Sequence, residues 1–380
     1  AYPDQYYSLV DQLNGLKSVP KSEPGKKINY GFASLMAFCT LGESVTFPKG
    51  SMDEYIDSLK NLAKTHGMPS DVFENSLQYA DTLSNVIMAW SKKDNYLQTR
   101  SMERYNVKTD DPGRWIPTPP AYASASEPHW NLIRPLVMDS ASLFKALPPA
   151  TFNVTDKNSD YYKQVKQMID STKNLSERQK NIADFWDDNP FKLNVNGHVM
   201  FATKKFSPPG HWMSIVGIAA KQAKADYATT VYAYAKTAIT QFDAFIQCWN
   251  EKYTYNTVRP ETVINRSFDQ SWQPYLQTPA FPEYTCGHST GSSAAAQTLT
   301  SVFDDHFAYT DTSELEFGIQ SRSYQSFNDA AMENTWARFY GGIHFHRTCL
   351  MSNKYGKEVA DLVDSRLKMK KGEKKVSRSK

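Results

Sequence analysis

Six residues in the last third of the chain have the types needed to hold an anion with several charged oxygens: Lys252, Arg259, Gly287, His288, Arg338 and His344. They fall in three short segments. The first, Lys252-Tyr-Thr-Tyr-Asn-Thr-Val-Arg259-Pro260, spaces two basic groups by two helical turns, so they share a face if the helix continues; Pro260 turns the chain out of helix just after. Alone, such a pair is ordinarily a solvated face. The second, Cys286-Gly287-His288, stands where a proline-rich loop enters a run of small residues. Free N–H groups at a helix start bind anions and Gly287 permits close approach, although a plain N-cap turn with a hydrogen-bonded histidine reads the same way. The third is Arg338-Phe-Tyr-Gly341-Gly342-Ile-His344. On one continuous helix its Arg and His would stand about 120° apart, so the double glycine is expected to break the helix and let His344 begin the next. There the helix dipole favours a neutral imidazole that can bind a metal or attack phosphorus; a structural histidine at a helix start is the plain alternative. Together the segments offer two guanidinium forks, an ammonium, backbone donors and two imidazoles. Burying that set is costly without an oxyanion to receive it.

The elements that must position these groups read as helices. Ser51 to Lys64 and the stretch opening at Ser70 carry apolar residues at helical spacing. Asp110 to Pro135 holds prolines at 112, 117, 119, 120, 128 and 135 and is expected to be an extended connection. Helices are expected again at Asp160–Ile169, at Ser176–Phe185 with a Ser176/Gln179 capping box, at Trp212–Lys224 after the Pro208-Pro209-Gly210 turn, and at Asp226 to about Tyr253. The run from Ser289 to Ala296 begins a helix of small residues that lets a neighbouring backbone come close; Ser321–Phe339 and His344–Arg366 complete the set. Alternating strand patterns are almost absent. The expected class is all-α, helical bundles, organised as an N-terminal helical region (1–110), a helical core carrying the site (111–367) and a basic, disordered tail (368–380).

Composition bounds the function classes. Hydrophobic residues make up 40% and charged residues 22%, an ordinary globular balance that excludes wholesale disorder. A net charge of +3 is too small to imply a nucleic-acid partner, and much of it sits in the tail after Lys368. No run approaches the roughly 20 apolar residues of a membrane span. The four cysteines, Cys39, Cys248, Cys286 and Cys349, are scattered and give no zinc pattern. Because the sequence starts at Ala1, a mature, exported (periplasmic or extracellular) form is expected. Oligomeric state is left open.

The three segments, Lys-x6-Arg-Pro, Cys-Gly-His in place of Ser-Gly-His, and Arg-x5-His, occur in the order found in one superfamily. In them the chain resembles the vanadium-dependent haloperoxidases and type-2 phosphatidic acid phosphatases, tightly over residues 252–344. Looser likeness at Glu127-Pro128-His129-Trp130 and Pro208-Pro209-Gly210-His211-Trp212 points to the bacterial, iodide- or bromide-oxidising branch. The resemblance implies a vanadate cofactor, for which phosphate can substitute, with His344 as its metal ligand. It also implies that Lys252, Arg259, Arg338 and the Gly287 amide bind its oxygens, and that His288 acts as acid–base residue. Hydrogen peroxide, halide and small organic acceptors are the implied partners, and a hypohalous species the implied product. Trp249 and Phe281 match aromatic pocket positions of some relatives, though core packing explains both equally well. Two departures stand out. Cys286 replaces the usual Ser, a weaker donor to the oxyanion. Thr348 stands where the phosphatase branch places an Asp to orient its nucleophilic His, and Ala337 replaces the Ser usual before Arg338. The alternatives are therefore a phosphatase using His344 as nucleophile, and a phosphate- or vanadate-binding relative without turnover.

Overall fold

The computed structural model describes residues 2–190, 192–196, 199–203 and 206–372; residues 373–380 of the expected tail lie outside them. Two compact units form, Ala1–Leu97 with Lys368–Gly372, and Gln98–Leu367. The division thus falls at 97/98 where the sequence suggested 110/111, and the start of the expected tail groups with the first unit. There the Tyr7 amide donates to the Met369 carbonyl (2.8 Å) and the Lys371 amide to Gln5 (2.8 Å).

In the first unit, α1 (Tyr30–Glu43), α2 (Asp53–Thr65) and α3 (Ser70–Ser91) surround a small core. Asn29 caps α1 by accepting from the Phe32 amide at 3.0 Å. Phe32 stacks on Phe73 with ring centroids 5.4 Å apart, over buried Ala33, Met36 and Ala80. A short helix, α4 (Tyr96–Thr99), follows.

The second unit opens with the long proline-rich connection, whose only regular element among the described residues is a single 3₁₀ turn at Trp130–Leu132. The stretch is tied down by backbone bonds such as Trp115 N to Asn256 O (3.0 Å) and Ser126 N to Ala280 O (2.8 Å), and just after it Asp243 accepts the amides of Leu136 (2.6 Å), Val137 (2.8 Å) and Met138 (2.8 Å). The helices are α5 (Asp160–Thr172), α6 (Glu177–Phe185), α7 (Pro208–Gln222), α8 (Tyr227–Tyr255), α9 (Pro260–Ser267), α10 (Gly287–Phe303), α11 (Phe327–Tyr340) and α12 (His346–Arg366). The Ser176/Gln179 capping box of α6 is present, and Asp226 caps α8. Two antiparallel pairs interrupt an otherwise all-α architecture: β1 (Lys192–Asn196) with β2 (Val199–Thr203), and β3 (Tyr309–Asp311) with β4 (Arg322–Tyr324).

The differences from the sequence reading have local causes. The helix expected from Ser321 begins at Phe327, because Arg322–Tyr324 pairs with Tyr309–Asp311 and Ser326 then caps the helix. Lys252 and Arg259 do not share a continuous helix: Asn256 closes α8 in the left-handed conformation, and Arg259 is the N-cap of α9. His344 does not start α12. Phe345 is its N-cap, so His344 sits on the loop before it. The double glycine does break the chain, with Gly342 at φ +76°, where an added Cβ would meet the Pro274 Cα at 3.1 Å.

The small residues of α10 allow α12 to press against it. A Cβ on Gly356 of α12 would lie 2.1 Å from both the Thr290 carbonyl oxygen and the Ser293 hydroxyl of α10. A backbone oxygen cannot move aside as a side-chain end can, so the two helices would have to separate. Gly356→Ala is therefore expected to cost at least the roughly 1–3 kcal/mol typical of overpacking, read as a lowered chemical-denaturation midpoint.

Candidate oxyanion site

Lys252, Arg259 and Arg338 are among the largest fully buried side chains of the protein, an arrangement that is costly unless their N–H groups find acceptors. The acceptors are backbone carbonyls in the loops. Lys252, in the last turn of α8, donates to the carbonyls of Pro282 (2.9 Å), Glu283 (3.4 Å) and Thr285. Burial first, and then repulsion from Arg259, pulls its ammonium down to about 8. Arg259 donates through Nε to Phe281 O (2.7 Å) and through Nη1 to Ile343 O (2.8 Å). Burial lowers it to about 10, which leaves it charged at neutral pH. Arg338, at the end of α11, donates Nη1 to Trp186 O (2.8 Å) and Asp187 O (3.4 Å).

These bonds do not exhaust the donors. Arg259 Nη2, Arg338 Nε and His288 Nε2 are buried and have no hydrogen-bond partner in the protein. His288, half-buried in the first turn of α10, is held well below the usual histidine range by burial and by the charge of Arg338. His344 lies in the same interior, its Nε2 3.1 Å from Arg259 Nη1. Cys286, the N-cap of α10, donates its amide to Ser352 Oγ (2.8 Å), and its sulfur accepts from the Ser289 hydroxyl (3.3 Å). Two guanidiniums with spare N–H groups and a neutral imidazole form the donor set a tetrahedral oxyanion requires, and the His344 ring nitrogen offers a lone pair beside them. Vanadate meets this test: its oxygens suit the spare donors and its metal suits an imidazole nitrogen.

Trp249 and Phe281 flank the cations. Phe281 lies 4.7 Å from Lys252 Nζ and 4.9 Å from Arg259 Cζ, measured to the ring centroid, and 5.2 Å from the Trp249 ring. Trp249 also packs on Trp130 (4.8 Å). Gly287 has its reason here, since a Cβ would come within 3.3 Å of Trp249 Cζ3.

The structure adds residues that motif spacing did not single out. Glu283 places Oε1 3.2 Å from His344 Nδ1 and 3.0 Å from the Phe345 amide, while Oε2 accepts from Thr348 (3.1 Å). Its only sequence signal is that it is the one charged residue between Gln273 and Cys286, just before Gly-His. Asp188, His211 and Asp311 form a second buried group. His211 Nδ1 is 2.8 Å from Asp188 Oδ1, and its Nε2 is 2.9 Å from Asp311 Oδ2. Trp186 stacks on the imidazole at 4.6 Å. This group anchors the 186–188 segment whose carbonyls hold Arg338. Asp188, His211 and Glu314 lie close enough to hold a cation, but their carboxylates repel an oxyanion, which belongs with the arginines.

Comparison with known proteins identifies the family and the fold. The pattern of the VCPO second helical-bundle domain matches residues 232–271 and 267–371. The crystal structure of a bacterial vanadium-dependent iodoperoxidase is 42% identical, with a TM-score of 0.91, over 98% of this chain and 88% of that one. Holo and apo structures of a bacterial vanadium-dependent chloroperoxidase share the fold at 19% and 20% identity, each with a TM-score of 0.65 over 88% of this chain and 81% and 83% of theirs. A sequence search of curated proteins finds no match. At that identity and coverage the chain belongs to the vanadium-dependent haloperoxidases.

His211 also gives the fold a pH dependence. Burial disfavours its charge, but Asp188 and Asp311 outweigh burial and raise it to about 10. A histidine raised in the folded state contributes stability that is complete below its unfolded value near 6.5 and is lost as pH rises toward 10. Melting temperature should therefore fall across that window. His211→Gln should lose about 3–5 kcal/mol at pH 7, as for a broken buried pair, and show a much flatter alkaline limb.

Proposed function

We propose that this protein is a vanadate-dependent haloperoxidase that oxidises halide, iodide or bromide, with hydrogen peroxide. The observation that carries the reading is the convergence of unspent Arg259, Arg338 and His288 donors on the interior that holds His344. The 42% identity to an iodoperoxidase supports iodide as the halide.

Arg259 Nη2 and Arg338 Nε would bind oxyanion oxygens, each guanidinium keeping its carbonyl bond as an anchor. Lys252 already has three carbonyl acceptors, so it would contribute fixed charge, or give up the long 3.4 Å bond to Glu283 O to reach an oxygen. The Gly287 amide would add a donor at the α10 N-terminus. His344 would ligate the metal, and vanadate so held supplies a Lewis acid that makes peroxide electrophilic toward halide. His288 is held neutral, with a free Nε2 able to take or return a proton. Trp249 and Phe281 exclude water beside the charges, and small organic molecules are the proposed acceptors of the hypohalous product. No observation favours the phosphatase alternative.

In a folded protein, His344→Ala should abolish vanadate binding, followed by equilibrium dialysis, together with iodide oxidation, while helical circular dichroism is unchanged. Undiminished turnover in that variant would show that another residue ligates the metal. Phosphate should compete for the same donors. Reconstitution of apo-protein at limiting vanadate should be suppressed by phosphate and restored by excess vanadate; insensitivity to saturating phosphate would remove the shared oxyanion site.

A further inference from the structure

Besides a hydrogen bond with the Cys286 side chain, whose S–H can donate to a ring lone pair, His344 makes two ring contacts of opposite demand. At Nε2 the neighbour is Arg259 Nη1 (3.1 Å), and a guanidinium can only donate, so Nε2 must present a lone pair. At Nδ1 the neighbour is Glu283 Oε1 (3.2 Å), and a carboxylate oxygen can only accept, so Nδ1 must carry the proton. Glu283 is itself held from two sides: the Phe345 amide donates to Oε1 (3.0 Å) and the Thr348 hydroxyl to Oε2 (3.1 Å). Both donors lie at the start of α12, where the helix dipole favours a negative group. Glu283 and His344 side chains are each 2% exposed, so water does not replace either contact.

We propose that Glu283 is a positioning residue that fixes His344 as the Nδ1–H tautomer, with Nε2 turned toward Arg259 as the ligand atom. Thr348 and the Phe345 amide hold Glu283 in turn, so the start of α12 controls the ring without a helical carboxylate of its own. Arg259 Nη1 also donates to Ile343 O (2.8 Å), which gives it an acceptor when the Nε2 lone pair is taken by a metal. Outer-shell partners of metal-bound histidines generally matter by about 10–100-fold in affinity. This role rests on the haloperoxidase reading only in naming the metal as vanadium; the tautomer is a property of the protein alone.

The consequence separates two anions of similar shape. Vanadate would use the Nε2 lone pair, whereas phosphate needs only the cationic donors. Equilibrium dialysis of apo-protein should show that Glu283→Ala weakens vanadate binding about 10–100-fold and inorganic phosphate binding less than about threefold. Glu283→Gln, which keeps an acceptor oxygen but also brings a competing donor, should fall between. Equal losses for both anions would make Glu283 a general support of the pocket, and unchanged vanadate affinity would leave it no role; either result overturns the proposal. If Glu283→Ala does not fold, Glu283→Gln decides by the same comparison. Independently, ¹⁵N spectra of histidine-labelled wild-type apo-protein, assigned by comparison with His344→Gln, should show His344 protonated at Nδ1 only. A proton on Nε2 would refute the proposal. Wild-type protein that binds no vanadate would instead refute the cofactor assignment, while the tautomer measurement would still decide this inference.

Discussion

Three cationic side chains taken out of water in one interior set the terms for the rest of the molecule. Lys252, Arg259 and Arg338 are each at most 1% exposed. Carbonyls inside regular helices are committed to the helix ladder, so the needed acceptors must come from places where the ladder is broken. They do: Phe281, Pro282, Glu283 and Thr285 lie on the loop before α10, Ile343 follows the double glycine, and Trp186 and Asp187 follow α6. The double glycine does two jobs here: it ends α11, and it leaves the Ile343 carbonyl turned toward Arg259.

This solution is deliberately incomplete on one side. Carbonyls hold the rear of each guanidinium, while Arg259 Nη2 and Arg338 Nε remain unspent. A fully satisfied cluster would be an ordinary structural ion-binding core with nothing left for a ligand. The same loops carry aromatic rings, with Phe281 over both Lys252 and Arg259, which lowers the local dielectric and strengthens whatever anion arrives. The carboxylates lie apart from the spare donors. Glu283 bonds His344 while its charge offsets part of the burial cost of Arg259, and Asp188 and Asp311 flank His211. Cys286 is part of the framework as well: its amide is spent on Ser352 and its sulfur receives the Ser289 hydroxyl, which places the unusual thiol in packed surroundings.

Much of this was written in the residues. Proline placement determined that 110–135 has no long helix, the Ser176/Gln179 pair determined how α6 begins, and the small residues after Cys286 determined that another backbone could approach α10. The three motif segments carry the likeness to the family, and their basic residues and histidines point to a bound oxyanion, because so many donors have few reasons to occur together. These are local properties: turn chemistry, capping and side-chain type act within a few residues. What the tertiary structure alone decided is everything that depends on partners distant in sequence. The pairing of β3 with β4 overrode a helical pattern near Ser321. The left-handed turn at Asn256 put Lys252 and Arg259 on different elements, yet brought both onto the loop of residues 281–285. Thr348, which looked by spacing like a missing carboxylate, became the hydroxyl that holds Glu283, 65 residues earlier. His344 acquired its orientation from that same carboxylate, 61 residues away. A hydrogen bond across such a separation leaves no periodic trace in the sequence, since its cost and gain are set by burial and geometry that exist only once the chain has folded.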